Sequence, residues 1–256
     1  MGLFGVGAIV FMLLQPTAFA DPVADSRRSG SFFMGPALQA MQEDDTQNPA
    51  MLWVREGEAQ WTLRSGHVAK SCADCHGEIG NMRGVAARYP AMSDPLGRPL
   101  ALGGRINQCR QSQQQAPPFA AESRELLALE SALVHQSHGM AMSPAPDPRL
   151  AAFVERGQSR YFQRLGQLNL SCSHCHDRHA GARLGGSLIP QAHPMGYPIY
   201  RLEWQTMGSL QRRLRNCMSG VRAQAFAFGS QELVELELYL AWRSKGMLLE
   251  KPSVRP

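Results

Sequence analysis

The sequence predicts a mainly α fold in which two similar units follow one another behind an N-terminal strap. Three observations carry this expectation. The motif C-x-x-C-H occurs twice, the residues around it repeat, and each repeat closes on a segment with apolar residues at helical spacing. The boundaries follow the composition: an export signal over residues 1–20, a strap over 21–49, a first unit over 50–142, a linker over 143–149 and a second unit over 150–256.

Residues 1–20 carry no charge. An apolar run over residues 3–14 is followed by Pro16 and by Ala18-Phe19-Ala20, the small-x-small pattern of a signal-peptidase site. The run is too short to span a bilayer. Cleavage after Ala20 would leave Asp21 as the new N-terminus, with the periplasm as destination. No Lys or Arg precedes the run, so the positive end comes from the N-terminal amine or from residues upstream. No later stretch looks membrane-spanning, so no membrane anchor is expected after processing. The formal charge of +5 lies wholly beyond residue 20. Its arginines are scattered and no basic run is interleaved with aromatics, which argues against nucleic acid and for an anionic small substrate or an acidic protein surface.

The motifs are Cys72-Ala73-Asp74-Cys75-His76 and Cys172-Ser173-His174-Cys175-His176. Two thiols three positions apart on one helical turn can each reach one vinyl group of a haem, and the adjacent His then lies under the iron. A single copy could be a zinc half-site or a redox dithiol; two copies behind an export signal point to two covalently bound haem c groups. Cys72, Cys75, Cys172 and Cys175 are the attachment residues, and His76 and His176 the proximal iron ligands. The two units are therefore expected to be tandem cytochrome c-like haem domains.

The second motif lies 100 residues after the first, and the upstream register is kept: Val54, Gly57, Arg64, Gly66 and Ser71 match Val154, Gly157, Arg164, Gly166 and Ser171, with Trp61 answered by Tyr161. Downstream, Arg105 and Cys109 answer Arg213 and Cys217. Ser123, Leu126, Leu129, Leu133, Gly139 and Met140 answer Ser230, Leu233, Leu236, Leu240, Gly246 and Met247. Each unit should open on a helix, near residues 50–66 and 150–166. The haem motif follows, then a Gly/Pro-rich loop, then a last helix. Ser123 and Ser230 are the expected N-caps, and Gly139 and Gly246 the expected C′ residues. The run Ser143-Pro144-Ala145-Pro146-Asp147-Pro148 reads as the linker.

The sixth iron ligand is the informative question. Small cytochromes c place a Met in the loop before the last helix; here each unit has a lone Cys, Cys109 or Cys217, four residues after an Arg. Met140 and Met247 follow the helices and are badly placed. Met195, Met207 and His193 lie in the right loop of the second unit, whereas the first offers only Met92, well upstream. Axial thiolates from Cys109 and Cys217 are the expectation, with a Cys109–Cys217 disulfide as the alternative. An axial thiolate lowers the iron potential and suits a simple electron shuttle poorly. His174, Arg178 and His179 read as solvated surface, and His135 and His138 as helix-end cations.

The chain resembles the SoxA family, the dihaem subunits of the SoxAX cytochromes of bacterial sulfur oxidation. The resemblance runs from about Gly30 to Pro256. It rests on Gln39-Ala40-Met41-Gln42, Met51-Leu52-Trp53-Val54, both motifs and both lone cysteines. It also rests on Cys217-Met218-Ser219-Gly220-Val221-Arg222-Ala223, Ala227-Phe228-Gly229-Ser230, Leu236-Glu237-Leu238-Tyr239-Leu240-Ala241-Trp242-Arg243 and Val254-Arg255-Pro256. Some members lack the first motif; this chain keeps both. The resemblance implies an L-cysteine S-thiosulfotransferase that joins thiosulfate oxidatively to a cysteine of the carrier SoxYZ, with the monohaem cytochrome SoxX as heterodimer partner and electron exit. It implies that Cys217 is the axial ligand of the active-site haem, able to carry an extra sulfur as a persulfide, and that Arg213 is the active-site arginine. Arg222 is a second candidate anion contact. Arg105 stands in the same place before Cys109, so pairing of both arginines with haem propionates is the competing role. A pure electron-transfer dihaem cytochrome, and a dihaem thiosulfate dehydrogenase or peroxidase, are the competing functions.

Covalent attachment is checked directly: the denatured protein should retain its haem through acid–acetone extraction, with an intact mass that fits two groups. Loss of the haem, or a mass fitting fewer, rules the assignment out.

Overall fold

A computed structural model describes residues 1–2 and 25–256. The expected export signal and its cleavage site lie outside the described residues. Among these, no helix is long and apolar enough to cross a membrane.

The strap forms a short 3-10 turn, Gly30–Phe33, and helix α1, Pro36–Glu43. The first unit then contains α2 (Met51–Thr62), the motif helix α3 (Ala73–His76), a hairpin of β1 (Ala91–Ser93) and β2 (Arg98–Leu100), α4 (Leu102–Cys109) and α5 (Arg124–His135). The second unit repeats the order: α6 (Ala151–Phe162), the motif helix α7 (Cys172–His176), a small hairpin of β3 (Arg183–Leu184) and β4 (Ser187–Leu188), strands β5 (Ile199–Arg201) and β6 (Thr206–Gly208), α8 (Leu210–Gly220) and α9 (Gln231–Arg243). Strand β7 (Ser253–Arg255) ends the chain and pairs parallel with β5, giving the sheet order β6-β5-β7.

In each unit the first helix packs on the last, α2 on α5 and α6 on α9. A glycine makes the approach possible. A Cβ at Gly57 would run into the Ala128 carbonyl, and one at Gly157 into the Glu235 carbonyl. Charge fixes the same pairs: Arg124 reaches Glu56 at 2.6 Å, and Glu235, 1% exposed, is held by Arg156 at 2.6 Å and Arg160 at 2.5 Å. The first helices end four residues before the sequence expectation. Gly66 and Gly166 are not helical but take positive φ, 73° and 67°, in tight turns closed by the bridges Ser65–Lys70 and Leu165–Leu170.

Ser123 and Ser230 cap the last helices as expected, accepting from Leu126 N–H at 3.3 Å and Leu233 N–H at 3.4 Å. Gly139 and Gly246 are not C′ residues. The helices end at His135 and Arg243, and the glycines sit further on at φ 73° and 87°, where the chain turns out of an added loop. Residues beyond those glycines tie the units together. Met142 N–H donates to the Met247 carbonyl and Gly246 N–H to the Met142 carbonyl, both at 2.8 Å; Gly139 N–H donates to the Leu249 carbonyl and Leu249 N–H to the Met140 carbonyl, both at 2.9 Å. The bridge Ala141–Leu248 joins positions equivalent in the repeat. The contact is therefore self-complementary, as at a two-fold axis. Ala87, Met142, Met195, Ala241 and Leu249 form the apolar cluster behind it.

The strap crosses to the far unit. Its α1 packs on β7, and Asn48 Nδ2 donates to the Pro252 carbonyl at 3.1 Å, Lys251 reaches Asp45 at 2.7 Å, and Arg27 donates to the carbonyls of Arg243 and Lys245 at 3.0 Å.

Gly57→Ala and Gly157→Ala should each cost about 1–3 kcal/mol, because the added methyl must push a packed backbone apart. Denaturant midpoints of the two variants check this; unchanged midpoints would show that the helices can separate at no cost.

Candidate haem pockets and active site

Each motif sits on a short helix whose start is capped from within. In the first, Asp74 Oδ2 accepts from Ser71 N–H at 2.8 Å, Ser71 Oγ accepts from Asp74 N–H at 3.1 Å, and Arg64 pairs with Asp74 Oδ1 at 3.1 Å. His174 replaces Asp74 in the second. Its Nδ1 lies 2.6 Å from Ser171 Oγ and its Nε2 2.9 Å from Arg164 Nη2. Nδ1 also accepts from Ser171 N–H at 3.2 Å, which closes a capping box on the helix start. Burial and then Arg164 lower the His174 pKa. His174 is thus a capping residue, not the solvated side chain its sequence suggests; Arg178 and His179 are exposed as expected. Trp61 Nε1 donates to the Gly77 carbonyl and the Tyr161 hydroxyl to Asp177 Oδ1, both at 2.8 Å, so the Trp/Tyr repeat position anchors each motif helix to the first helix of its unit.

The first pocket, about 290 Å³, is lined by Cys72, Cys75, His76 and Cys109 with Trp61, Leu102, Ile106, Leu129 and Leu133. The His76 ring leans on Trp61, centroids 5.8 Å apart. The second, about 480 Å³, is lined by His176, Cys217 and Arg213 with Leu210, Leu214 and Leu240. Cys172 packs in the apolar cluster beside it, with Tyr161, Leu214 and Leu240. His176 Nδ1 lies 2.7 Å from the Pro190 carbonyl, which can only accept, so Nδ1 carries a proton and Nε2 is the nitrogen left for a metal.

Both lone cysteines lie on helices, not in the loops expected. Cys109 is the last residue of α4 and Cys217 lies inside α8. The Arg–Cys spacing of four then has a plain meaning: Arg105 and Cys109, like Arg213 and Cys217, share one helix face. Burial raises the pKa of the Cys109 thiol against the pull of Arg105. Burial also opposes ionisation of Cys217, but the His176 imidazole within hydrogen-bonding reach and the guanidinium of Arg213 outweigh it, and the pKa falls below that of an ordinary thiol. The two cysteines belong to separate pockets and all six are free, so the alternative Cys109–Cys217 disulfide is not formed.

The other expected contacts sort clearly. Met207 packs on Trp53, Leu127 and Ala128 of the first unit, and Met195 in the inter-unit cluster, so neither lines an iron site. His193 does line the second pocket, with Nδ1 2.8 Å from Ser244 Oγ; burial, then Arg243, lowers its pKa to about 4. Arg222 is exposed, at φ 58°, its carbonyl accepts from Gln167 N–H in the turn beside Gly166, and it is not among the residues that line the second pocket. His135 is half-buried with no partner for Nδ1 among the described residues, and burial lowers its pKa, which opposes the role of helix-end cation.

The residues suit a covalently held haem in each unit. Paired thiols stand beside an imidazole and a second thiol on an apolar wall. The Nε of Arg105 is buried at the first pocket with no partner among the described residues, which suits a propionate. In the second pocket Arg213 makes no ion pair among the described residues, and Arg183, Arg201 and Arg255 lie around it. Residues the sequence does not flag complete this pocket: Gly30, Phe33, Met34, Gly35 and Leu38 of the strap roof it. Glu250 latches the roof. It accepts from Arg255 Nη2 at 2.6 Å, Ser253 Oγ at 2.8 Å, Gln42 Nε2 at 3.2 Å and Ser31 N–H at 3.3 Å.

Comparison with known proteins agrees with this geometry. The family model described as SoxA/TsdA, cytochrome c domain, matches residues 56–142. The L-cysteine S-thiosulfotransferase subunit SoxA of Rhodovulum sulfidophilum is 36% identical over 96% of this chain and 86% of that protein. Its counterpart from Paracoccus pantotrophus is 32% identical over 94% of this chain and 83% of that protein. The crystal structure of SoxXA from P. pantotrophus superposes with a TM-score of 0.86, covering 90% of this chain and 87% of that chain at 32% identity.

The latch gives a pH prediction. Burial opposes the Glu250 charge, but Arg255 and the Ser29 hydroxyl outweigh it and bring the pKa from 4.5 down to about 2. Its contribution is full above about pH 4.5 and fades as pH falls toward 2. Glu250→Gln should cost about 2–3 kcal/mol at neutral pH, shrinking over that acid window. Denaturant midpoints of variant and wild type between pH 2 and 7 check it; a difference that does not change with pH would contradict it.

Proposed function

We propose that this chain, which belongs to the SoxA family, is the dihaem cytochrome c subunit of a SoxAX L-cysteine S-thiosulfotransferase, exported to the periplasm and paired there with the monohaem cytochrome SoxX. The observation that carries the reading is the second pocket. A thiol of lowered pKa, Cys217, and an arginine without an ion pair among the described residues, Arg213, share one face of α8, beside the His176 imidazole whose Nδ1 is held by the Pro190 carbonyl. The curated relatives, at 36% and 32% identity, are named for this activity.

The reaction joins thiosulfate to a carrier cysteine of SoxYZ: R–S⁻ and ⁻S–SO₃⁻ become R–S–S–SO₃⁻, one S–S bond forms and two electrons leave. Haem, when bound, supplies the one-electron acceptor. The tandem cytochrome c-like units would hold one group each through Cys72 and Cys75, and through Cys172 and Cys175, with His76 and Cys109, and His176 and Cys217, as the residues that would ligate the iron. Arg213 binds the incoming dianion, with a fork of donors that matches sulfonate oxygens and a charge that survives burial because the Cys217 thiolate faces it. Cys217 presents the electron-rich sulfur on which the new bond is organised, itself or as a persulfide. The apolar wall of Leu210, Leu214 and Leu240 and the strap above exclude water from these charges.

Cys217→Ala should abolish thiosulfate joining to the carrier while both haems stay attached, because attachment uses other cysteines. Cys109→Ala should hurt less, since the Met218-Ser219-Gly220-Val221-Arg222 continuation after Cys217 has no counterpart after Cys109. Each purified variant is assayed with SoxX, carrier and an electron acceptor, and its haem count taken from intact mass. Full activity in Cys217→Ala would end the proposal, and equal loss in both variants would leave Cys217 with a structural role alone.

A further inference from the structure

Between the two pockets lies a third cavity, about 310 Å³, built from both units around the self-complementary contact. Its lining is paired as the repeat is paired. Tyr89 and Leu102 separate it from the first haem pocket, and Tyr197 and Leu210 from the second. Into it project Glu130 from α5 and Glu237 from α9, which occupy the same place in the two units, 107 residues apart.

Among the described residues no lysine, arginine or histidine lines this cavity. The charged and titratable groups that face the pair are Glu122, which precedes α5, and the phenols Tyr89 and Tyr197. Glu122 is itself acidic and accepts from Ser209 N–H at 3.3 Å. Relief comes only from neutral groups, the Gly103 backbone beside Glu130 and the Gln211 amide beside Glu237. Two carboxylates in a low-dielectric space without a counter-ion cannot both stay ionised at little cost. Burial, then Glu237, pushes the Glu130 pKa up to about 8; burial, then Glu122, pushes that of Glu237 up to about 7.

We propose that Glu130 and Glu237 form a shared proton site on the contact between the two units, which holds the units together while it is protonated and loosens them when it is not. The inference does not depend on the sulfur chemistry proposed above. The sign follows from the upward direction of both shifts. The unfolded chain would ionise near the ordinary value of 4.5, the folded one only near neutrality and above, so the stability of the contact falls as pH rises from about 4.5 to about 8 and is level beyond. The site would thus make the joint between the units sensitive to the pH of its surroundings, across a range that an exported protein meets.

The test uses the full-length holoprotein. The amides of Gly139, Met142, Gly246 and Leu249 cross the contact, and their hydrogen exchange, corrected for the intrinsic rate, reports its opening. In the wild type the opening constant should rise between pH 6 and 8, by up to about tenfold per pH unit for each proton released. In the double variant Glu130→Gln, Glu237→Gln the same amides should show a flat profile and stronger protection at pH 8. Infrared absorption of the wild type gives a second reading that needs no variant: a protonated carboxyl band present at pH 6 should disappear by pH 9. A wild-type profile without slope, a slope that survives in the double variant, or absence of the carboxyl band would each overturn the proposal.

Discussion

The close approach of the first and last helices in each unit sets where everything else can go. At Gly57 and Gly157 the helix backbones come together with no side chain between them. That contact brings the Trp61 and Tyr161 ends of the first helices over the motif helices, where one hydrogen bond each holds Gly77 or Asp177. It also turns the Leu129 and Leu133 face, and the Leu236 and Leu240 face, toward the cysteines. A wider crossing would leave both motifs hanging from a loop. The helix pairs are therefore a frame, and the pockets are the space left between the frame and the shorter helices α4 and α8.

Much of this frame was legible in the sequence, because it is carried by residues whose type has a local meaning. Thiol pairs at fixed spacing, capping serines, helical apolar periodicity and the Gly57/Gly157 repeat all point the same way before any contact is known. The position of the lone cysteines was misplaced because α4 and α8 are short and poor in apolar residues, with Leu102 and Ile106, or Leu210 and Leu214, facing inward. Leu102-Gly103-Gly104-Arg105 and Leu210-Gln211-Arg212-Arg213 look like loop, and tertiary packing decides them. His174 was misjudged for a similar reason. A histidine in the capping position reads as surface until Ser171 and Arg164 are seen around it. The strap was legible as a segment but not in its destination, since nothing in residues 25–49 says which unit they cover. The carboxylate pair was visible only as two members of a leucine-rich repeat, Glu130 and Glu237, with no sign that both face inward.

The two halves share a plan but differ in electrostatics. At the first pocket the thiol opposite the imidazole is pushed toward neutrality by burial; at the second it is drawn toward the anion by His176 and two guanidiniums. Repeat-equivalent frames thus hold sites of different character. The difference arises less from the histidine and cysteine pairs, which are the same, than from what lies above them. The second pocket has β5, β7 and the strap as extra walls, each bringing an arginine or a water-excluding surface. The first ends in a short hairpin, β1 and β2, and the π-type turn after Cys109.

The route of the strap also orders the making of the molecule. Gln42 meets Arg255, 213 residues away, and Ser31 meets Glu250, 219 residues away. Contacts of such sequence separation form late, after local helices and hairpins have settled. The roof cannot close before the last few residues have been delivered, since β7 and Arg255 are part of it. Until then the second set of thiols lies open to whatever machinery must reach them. The strap and β7, meeting late, act as a seal applied after the contents are in place.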